Sequence, residues 1–216
     1  MNLKLPSKMS VRLLAVTAAT LLIASAHALP DAQFIPVWDQ FEIINNGDNS
    51  NLDKVSDDFA ALLRQEPTNP VLMAYTGTTT AMKSTTTMLP WKKMSYAEDG
   101  MAMLDKALAM LTPAHEAVIQ HGTPGTLEVK LLAAKTFLGV PGFMNKGPRG
   151  AKLVSELIAS PTLTSAPVDF QGVVWLTAGE VAVQEKRVED ARKHFARVID
   201  LKAKQAGAAR VQLAKL

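Results

Sequence analysis

Histidine and methionine are the soft ligand side chains of this 216-residue chain, since it has no cysteine, and their spacing limits the chemistry open to them. His27 falls in a leader described below, leaving His115, His121 and His194. His115-Glu116 is followed by His121 six residues later, whereas a zinc-protease His-Glu-x-x-His motif needs its second histidine one helical turn on, on the same face. A six-residue step puts two rings on roughly opposite sides of a helix. His194, between Lys193 and Phe195, reads as a surface residue. The chain has no phosphate-binding glycine loop, no Gly-x-Ser-x-Gly, no well-placed Ser-x-x-Lys and no paired carboxylates framing a cleft. The expectation is a protein that is not an enzyme, with no catalytic residue, no metal site and no cofactor.

Methionine is the unusual feature. Seven of the ten lie between residues 73 and 110: Met73, Met82, Met88, Met94, Met101, Met103 and Met110. Thioethers are soft ligands that suit Cu(I), which makes a small-molecule or copper-binding protein the alternative reading of helices 73–110. Core packing is preferred, because Met73, Met82, Met94, Met101 and Met110 are spaced as helix-buried residues and methionine fills irregular gaps. A Met-lined groove for varied apolar partners stands between the two. In the segment 85–95, Trp91 beside Lys92 and Lys93 offers a flat aromatic face and two cations to a partner. The simpler reading, also preferred, has Pro90 start a helix and Trp91 pack inward with the lysines solvated.

The first residues carry Lys4, Lys8 and Arg12 with no acid, followed by the apolar run Leu13 to Ala26 and then Ala26-His27-Ala28. This is the pattern of a secretory signal peptide, with cleavage expected after Ala28. The run is too short for the roughly 20 residues of a membrane-spanning helix. The whole chain has 23 basic and 20 acidic residues, so losing the leader's three basic groups leaves twenty of each. Its pI near 9.1 therefore does not mark a nucleic-acid or anionic-membrane binder. The lack of cysteine excludes disulfides, thiol nucleophiles and a lipid-modified cysteine at the cleavage site. With no Asn-x-Ser/Thr sequon either, the sequence fits a bacterial periplasm better than a eukaryotic secretory route. Residues 29–216 suffice for one domain.

The elements that must position any site are helices. Apolar residues recur at helical spacing, and no sustained alternation marks a strand. The pattern predicts helices at 35–45, 51–65, 70–86, 91–111, 125–139, 148–159, 168–184, 188–202 and 206–214, with a further turn or two at 113–121. Asn69-Pro70 and Pro90 open helices, and the glycines at 139 and 142 close one.

Within those helices a repeat emerges. Trp175, Ala178 and Gly179 on one helix, then Ala191, Phe195 and Val198 on the next, match the fixed offsets of a helical hairpin of about 34 residues. Val55, Phe59, Leu62 and Pro67 reproduce the second-helix offsets near the mature N-terminus, and Gly77 with Gly100, Leu104 and Ala107 forms a further unit. Gly77 and Gly100 are 23 residues apart where the pattern has about 12, an insertion placed within Thr85–Ser95. A weaker unit uses Ala133, Gly150, Val154 and Leu157. In these respects the chain resembles the tetratricopeptide family, with Ala182 and Ala203 departing from its usual Tyr and Pro.

The resemblance implies an all-α fold: a right-handed stack of antiparallel helical hairpins, a TPR-like α-solenoid of three to four irregular repeats closed by a capping helix from Ala206. It also implies a concave groove that binds a peptide or protein partner of the cell envelope. Thr78, Met82, Lys83, Lys130, Glu180 and Gln184 sit where the family's first-helix residues face that groove. The function expected is an exported, periplasmic binding adaptor or scaffold.

Overall fold

The computed structural model describes residues 30–117 and 120–216, so the leader 1–28 and its cleavage site lie outside the described residues. Nine α-helices and several short 3-10 turns make up the described residues, with no strand among them. The helices are α1 (Asp31–Asn45), α2 (Leu52–Gln65), α3 (Pro70–Thr86), α4 (Pro90–Ala109), α5 (Gly125–Gly139), α6 (Gly147–Ile158), α7 (Val168–Gln184), α8 (Val188–Asp200) and α9 (Ala206–Leu213). Most bounds fall within two residues of those expected. α1 differs, starting a turn earlier and carrying Pro36 inside it. As the sixth residue of the helix, Pro36 lacks the amide that would bond to the Ala32 carbonyl, so α1 forgoes one hydrogen bond of its first two turns.

α3 shows how local chemistry overcomes a poor helix former. Asn69 caps it, its Oδ1 accepting from the amides of Val71 at 2.9 Å and Leu72 at 3.2 Å, with Pro70 in the first position. Threonines lower helix propensity, yet Thr76 donates to the Leu72 carbonyl at 2.8 Å and Thr79 to that of Tyr75 at 3.0 Å. Their hydroxyls are thereby satisfied inside the protein. Nearly every residue from Pro70 to Ala81 is buried, so α3 is the central helix, covered on all sides.

Successive helices pack as pairs: α1 with α2, α3 with α4, α5 with α6 and α7 with α8, while α9 lies on α8. Between pairs, α2 meets α3, both α3 and α4 meet α5, and α6 meets α7. Val55, Phe59, Leu62, Leu104, Ala107, Ala178, Ala191, Phe195 and Val198 are all buried in these contacts; Trp175 is half-buried and Pro67 is exposed in the α2–α3 turn. Phe34, Phe41, Phe59 and Tyr75 form an aromatic centre, with the rings of Phe59 and Tyr75 stacked at 4.7 Å.

Glycine sets the closest approach. A Cβ on Gly100 would lie 2.5 Å from the Gly77 carbonyl oxygen and 2.6 Å from the Ala81 nitrogen, so α3 and α4 touch backbone to backbone. The segment 85–95 is helical except for Thr87–Leu89. Both helices run on beyond that crossing, α3 to Thr86 and α4 back to Pro90. At Gly179 the obstacle is a side chain, since a Cβ would run into the fully buried Phe195 ring. Gly179→Leu is expected to destabilise the protein by about 1–3 kcal/mol through overpacking. A chemical denaturation curve superposing on wild type would refute that contact.

Candidate functional site

The α3–α4 extension forms one wall of an apolar cleft of about 560 Å³; the opposite wall is the end of α5 and the loop that follows it. Met82, Met94, Ala97, Val140, Phe143 and Met144 supply its apolar lining, and the charged side chains there are Lys93 and Lys135. Phe143, which lines the cleft, is 68 % exposed; Met88 and Trp91, on either side of the lining residue Pro90 in sequence, are 87 % and 68 % exposed. Trp91 therefore does not pack inward as the simpler reading expected. It stands in the first turn of α4, beyond the crossing, where no neighbouring helix covers it. Lys92 and Lys93 beside it are also exposed. Met94 is more exposed than its spacing suggested, for the same reason. Met73 and Met101 are buried in the core, and Met82, Met103 and Met110 pack against it.

A second hollow, of about 230 Å³, adjoins the first and shares Asn45, Thr78 and Lys135 with it. It lies among α1, α3, α5 and α7, with Trp38, Phe41, Tyr75 and Phe170 as aromatic walls. At its base is Glu128, only 5 % exposed. Tyr75 donates its hydroxyl proton to Glu128 Oε1. His121 Nε2 lies 3.7 Å from Glu128 Oε2. Neither of those two buried atoms has a hydrogen-bond partner.

The position of each group follows from its element. His121 sits in a short 3-10 turn with left-handed backbone, φ 51°, a conformation that a non-glycine residue seldom adopts. That turn inserts its ring between Trp38, stacked at 4.5 Å, and Phe34, at 5.8 Å. Its Nδ1 is 3.3 Å from Thr123 Oγ1; with the proton on Nδ1 and donated to that hydroxyl, Nε2 is left as an acceptor next to Glu128 Oε2. Burial lowers the His121 pKa to about 4, keeping the ring neutral. Burial raises Glu128 to about 7, against the lowering effect of the Tyr75 hydrogen bond. Tyr75 is pushed well above its usual value by burial and by the adjacent Glu128. Lys135 is lowered by burial, against the attraction of Glu42 and Glu180, and donates to Asn45 Oδ1 at 3.0 Å.

Of the groove residues expected from sequence, Thr78 and Met82 line the cleft. Lys83 points the other way, 3.4 Å from Asp53 and 3.8 Å from Asp57 of α2. Lys130 pairs with Glu156 of α6 at 2.9 Å and lines a separate, more open hollow between α4, α5 and α6. Glu180 faces outward on α7, close enough to Lys135 to act on its charge, and Gln184 is exposed at the end of the same helix. Tyr75, His121, Glu128, Lys135 and Asn45 were not expected. Glu128 and Lys135 gave one signal, as charged residues in a helix with ten buried positions out of fifteen.

Two buried polar atoms without partners, a carboxyl titrating near neutrality and four aromatic side chains come together around this hollow, with Lys135 and the Thr123 hydroxyl beside them. Among the described residues no three His, Asp or Glu side chains cluster to hold a metal, and no helix is long and apolar enough to cross a membrane. No family model, curated protein or solved structure matches the chain.

Proposed function

We propose that the protein is an exported, periplasmic binding adaptor of tetratricopeptide-like design, an α-solenoid whose concave groove holds an extended segment of a protein partner. One observation carries this reading. The first helix of each packed pair, α1, α3, α5 and α7, contributes to one surface on which the apolar cleft and the aromatic, acid-bearing hollow run together. Adjoining hollows of unlike chemistry suit a chain that places successive side chains in each. Phe143 in the cleft lining and Trp91, one residue after the lining Pro90, are exposed aromatics that a bound segment would cover, and such residues carry much of the energy in protein interfaces.

Panning a random-peptide library against the mature protein tests this. Peptides are expected whose affinity falls by about tenfold or more on Phe143→Asp and on Trp91→Ser, the size of effect typical of an interface anchor. Circular dichroism should be unchanged, since both side chains are exposed. A library yielding no binder, or binders indifferent to both substitutions, would overturn the groove assignment. The rival reading, Cu(I) held by thioethers, draws on Met82, Met94 and Met144 lining the same cleft. Titrating the same preparation against a Cu(I) indicator decides it, and absence of stoichiometric competition removes copper.

A further inference from the structure

With Glu128 ionised and the His121 proton on Nδ1, Glu128 Oε2 and His121 Nε2 are buried acceptors 3.7 Å apart, and no donor of this chain reaches either. Buried acceptors left unpaired are costly, so a hollow that holds two of them side by side is shaped for something that donates. That group must carry at least two N–H or O–H bonds, which rules out a carboxylate, an ether or a quaternary ammonium.

Charge narrows the choice further. Glu128 is a buried acid with no lysine or arginine within ion-pair distance among the described residues. The other charged groups around the hollow are largely engaged. Lys204 pairs with Asp169 at 2.9 Å, and Lys135 donates to Asn45 within the field of Glu42 from α1 and Glu180 from α7. Asp31 of α1 acts on His121 from outside. The missing counter-ion is therefore a cation, and Trp38, Phe41, Tyr75 and Phe170 supply walls whose ring faces attract cations. The space, about 230 Å³, takes a compact head group on a narrow stem.

We propose that this hollow recognises a primary ammonium group, which donates to Glu128 Oε2 and His121 Nε2 and packs against the aromatic walls. The assignment rests on the reading of this surface as a ligand-binding face and names what the ligand places there. A lysine side chain or N-terminal amine of a peptide and a free small amine share this chemistry. Tyr75 is a positioning residue: its hydroxyl holds Glu128 Oε1, which leaves Oε2 as the oxygen without a partner. Binding requires ionised Glu128, so it strengthens as pH rises through neutrality, while the ammonium itself stays protonated.

The test is calorimetry and histidine-ring NMR on the mature protein with n-butylammonium, butyltrimethylammonium and methylguanidinium, at pH 5.5 and 8. Butylammonium is expected to bind at pH 8, to shift the His121 ring resonances and to bind about tenfold more weakly at pH 5.5. Its trimethyl analogue, which cannot donate, and the isosteric Glu128→Gln variant should each weaken binding by a similar factor. No butylammonium binding at pH 8, equal binding of the trimethyl analogue, or tighter binding of methylguanidinium would overturn the assignment. The analogue and pH comparisons need no variant, so they stand even if Glu128→Gln fails to fold.

Capped peptides with and without lysine form the final arm. A lysine peptide binding more tightly than butylammonium identifies a polypeptide source, and butylammonium binding at least as tightly identifies a small amine; both support the pocket. Peptides that bind through the apolar cleft but ignore both lysine and Glu128→Gln would defeat the ammonium pocket and leave the adaptor reading intact. Butylammonium binding with no peptide binding at all would do the reverse.

Discussion

Gly100→Ala, a single added methyl group, is expected to destabilise the protein by about 2–3 kcal/mol, at the upper end for overpacking. The new Cβ meets the Gly77 carbonyl oxygen at 2.5 Å, the Ala81 nitrogen at 2.6 Å and the Ala81 Cβ at 2.7 Å. Two of those three atoms are backbone, so no rotamer change relieves the clash and the helices must separate. Separation would loosen Leu104 and Ala107 one and two turns along α4, both completely buried. For a domain of this size the loss corresponds to a melting point lower by roughly 4–12 °C. Gly139→Ala is the control: a Cβ there meets nothing within 4 Å, and at that helix end the change is worth about 0.5 kcal/mol or less in either direction. Thermal melts of the two variants check the crossing, and Gly100→Ala melting with wild type would move it elsewhere.

The second large effect is a pH dependence that wild type conceals. Burial lowers His121 from 6.5 to about 4, so its contribution to stability is present above pH 6.5 and is lost as pH falls toward 4. Burial raises Glu128 from 4.5 to about 7, so the folded state holds a proton there that the unfolded chain has released. Its contribution is present below pH 4.5 and is lost as pH rises through 7. Between pH 4.5 and 6.5 the two slopes oppose each other. The folded pair holds one proton in that window, and so does the unfolded pair, whichever residue carries it. The pair therefore leaves wild-type stability flat there.

Glu128→Gln removes one slope. Relative to wild type the variant should lose about 3 kcal/mol as pH falls from 7 to 4.5, the equivalent of a shift of two to three pKa units. His121→Asn should lose stability in the opposite direction, as pH rises over the same interval. Melting temperatures of the three proteins measured from pH 4 to 8 supply the difference curves. A pH-independent difference for Glu128→Gln would mean that the carboxyl is not buried without a counter-charge.

How much of this was legible in the sequence depends on how local each signal is. Helix bounds were legible because the punctuation is local: Asn69-Pro70 caps α3 and Pro90 starts α4. The small positions Gly77, Gly100 and Gly179 were legible because a helix crossing demands them at regular offsets. Trp91 was misread because its exposure depends on how far α4 runs beyond the crossing, a length that periodicity does not reveal. Lys83 and Lys130 lie at groove offsets, yet acids on α2 and α6 draw them to other faces. The acid-bearing hollow was invisible for a different reason. Tyr75 and Glu128 are 53 residues apart, and His121 reaches them from an irregular turn that belongs to no repeat.

The backbone contact between Gly77 and Gly100 also works as a fulcrum. Beyond it each helix runs on for nine or ten residues, to Thr86 and back to Pro90, as a pair of cantilevers roughly 15 Å long. A rotation of about 10° at the pivot would move their tips by roughly 2–3 Å, given the 1.5 Å rise per residue. Met82 lies partway along one arm, and Lys93, Met94 and Trp91 lie toward the tip of the other. A rotation of that size would change the width of the cleft while the residues packed around the pivot scarcely shifted.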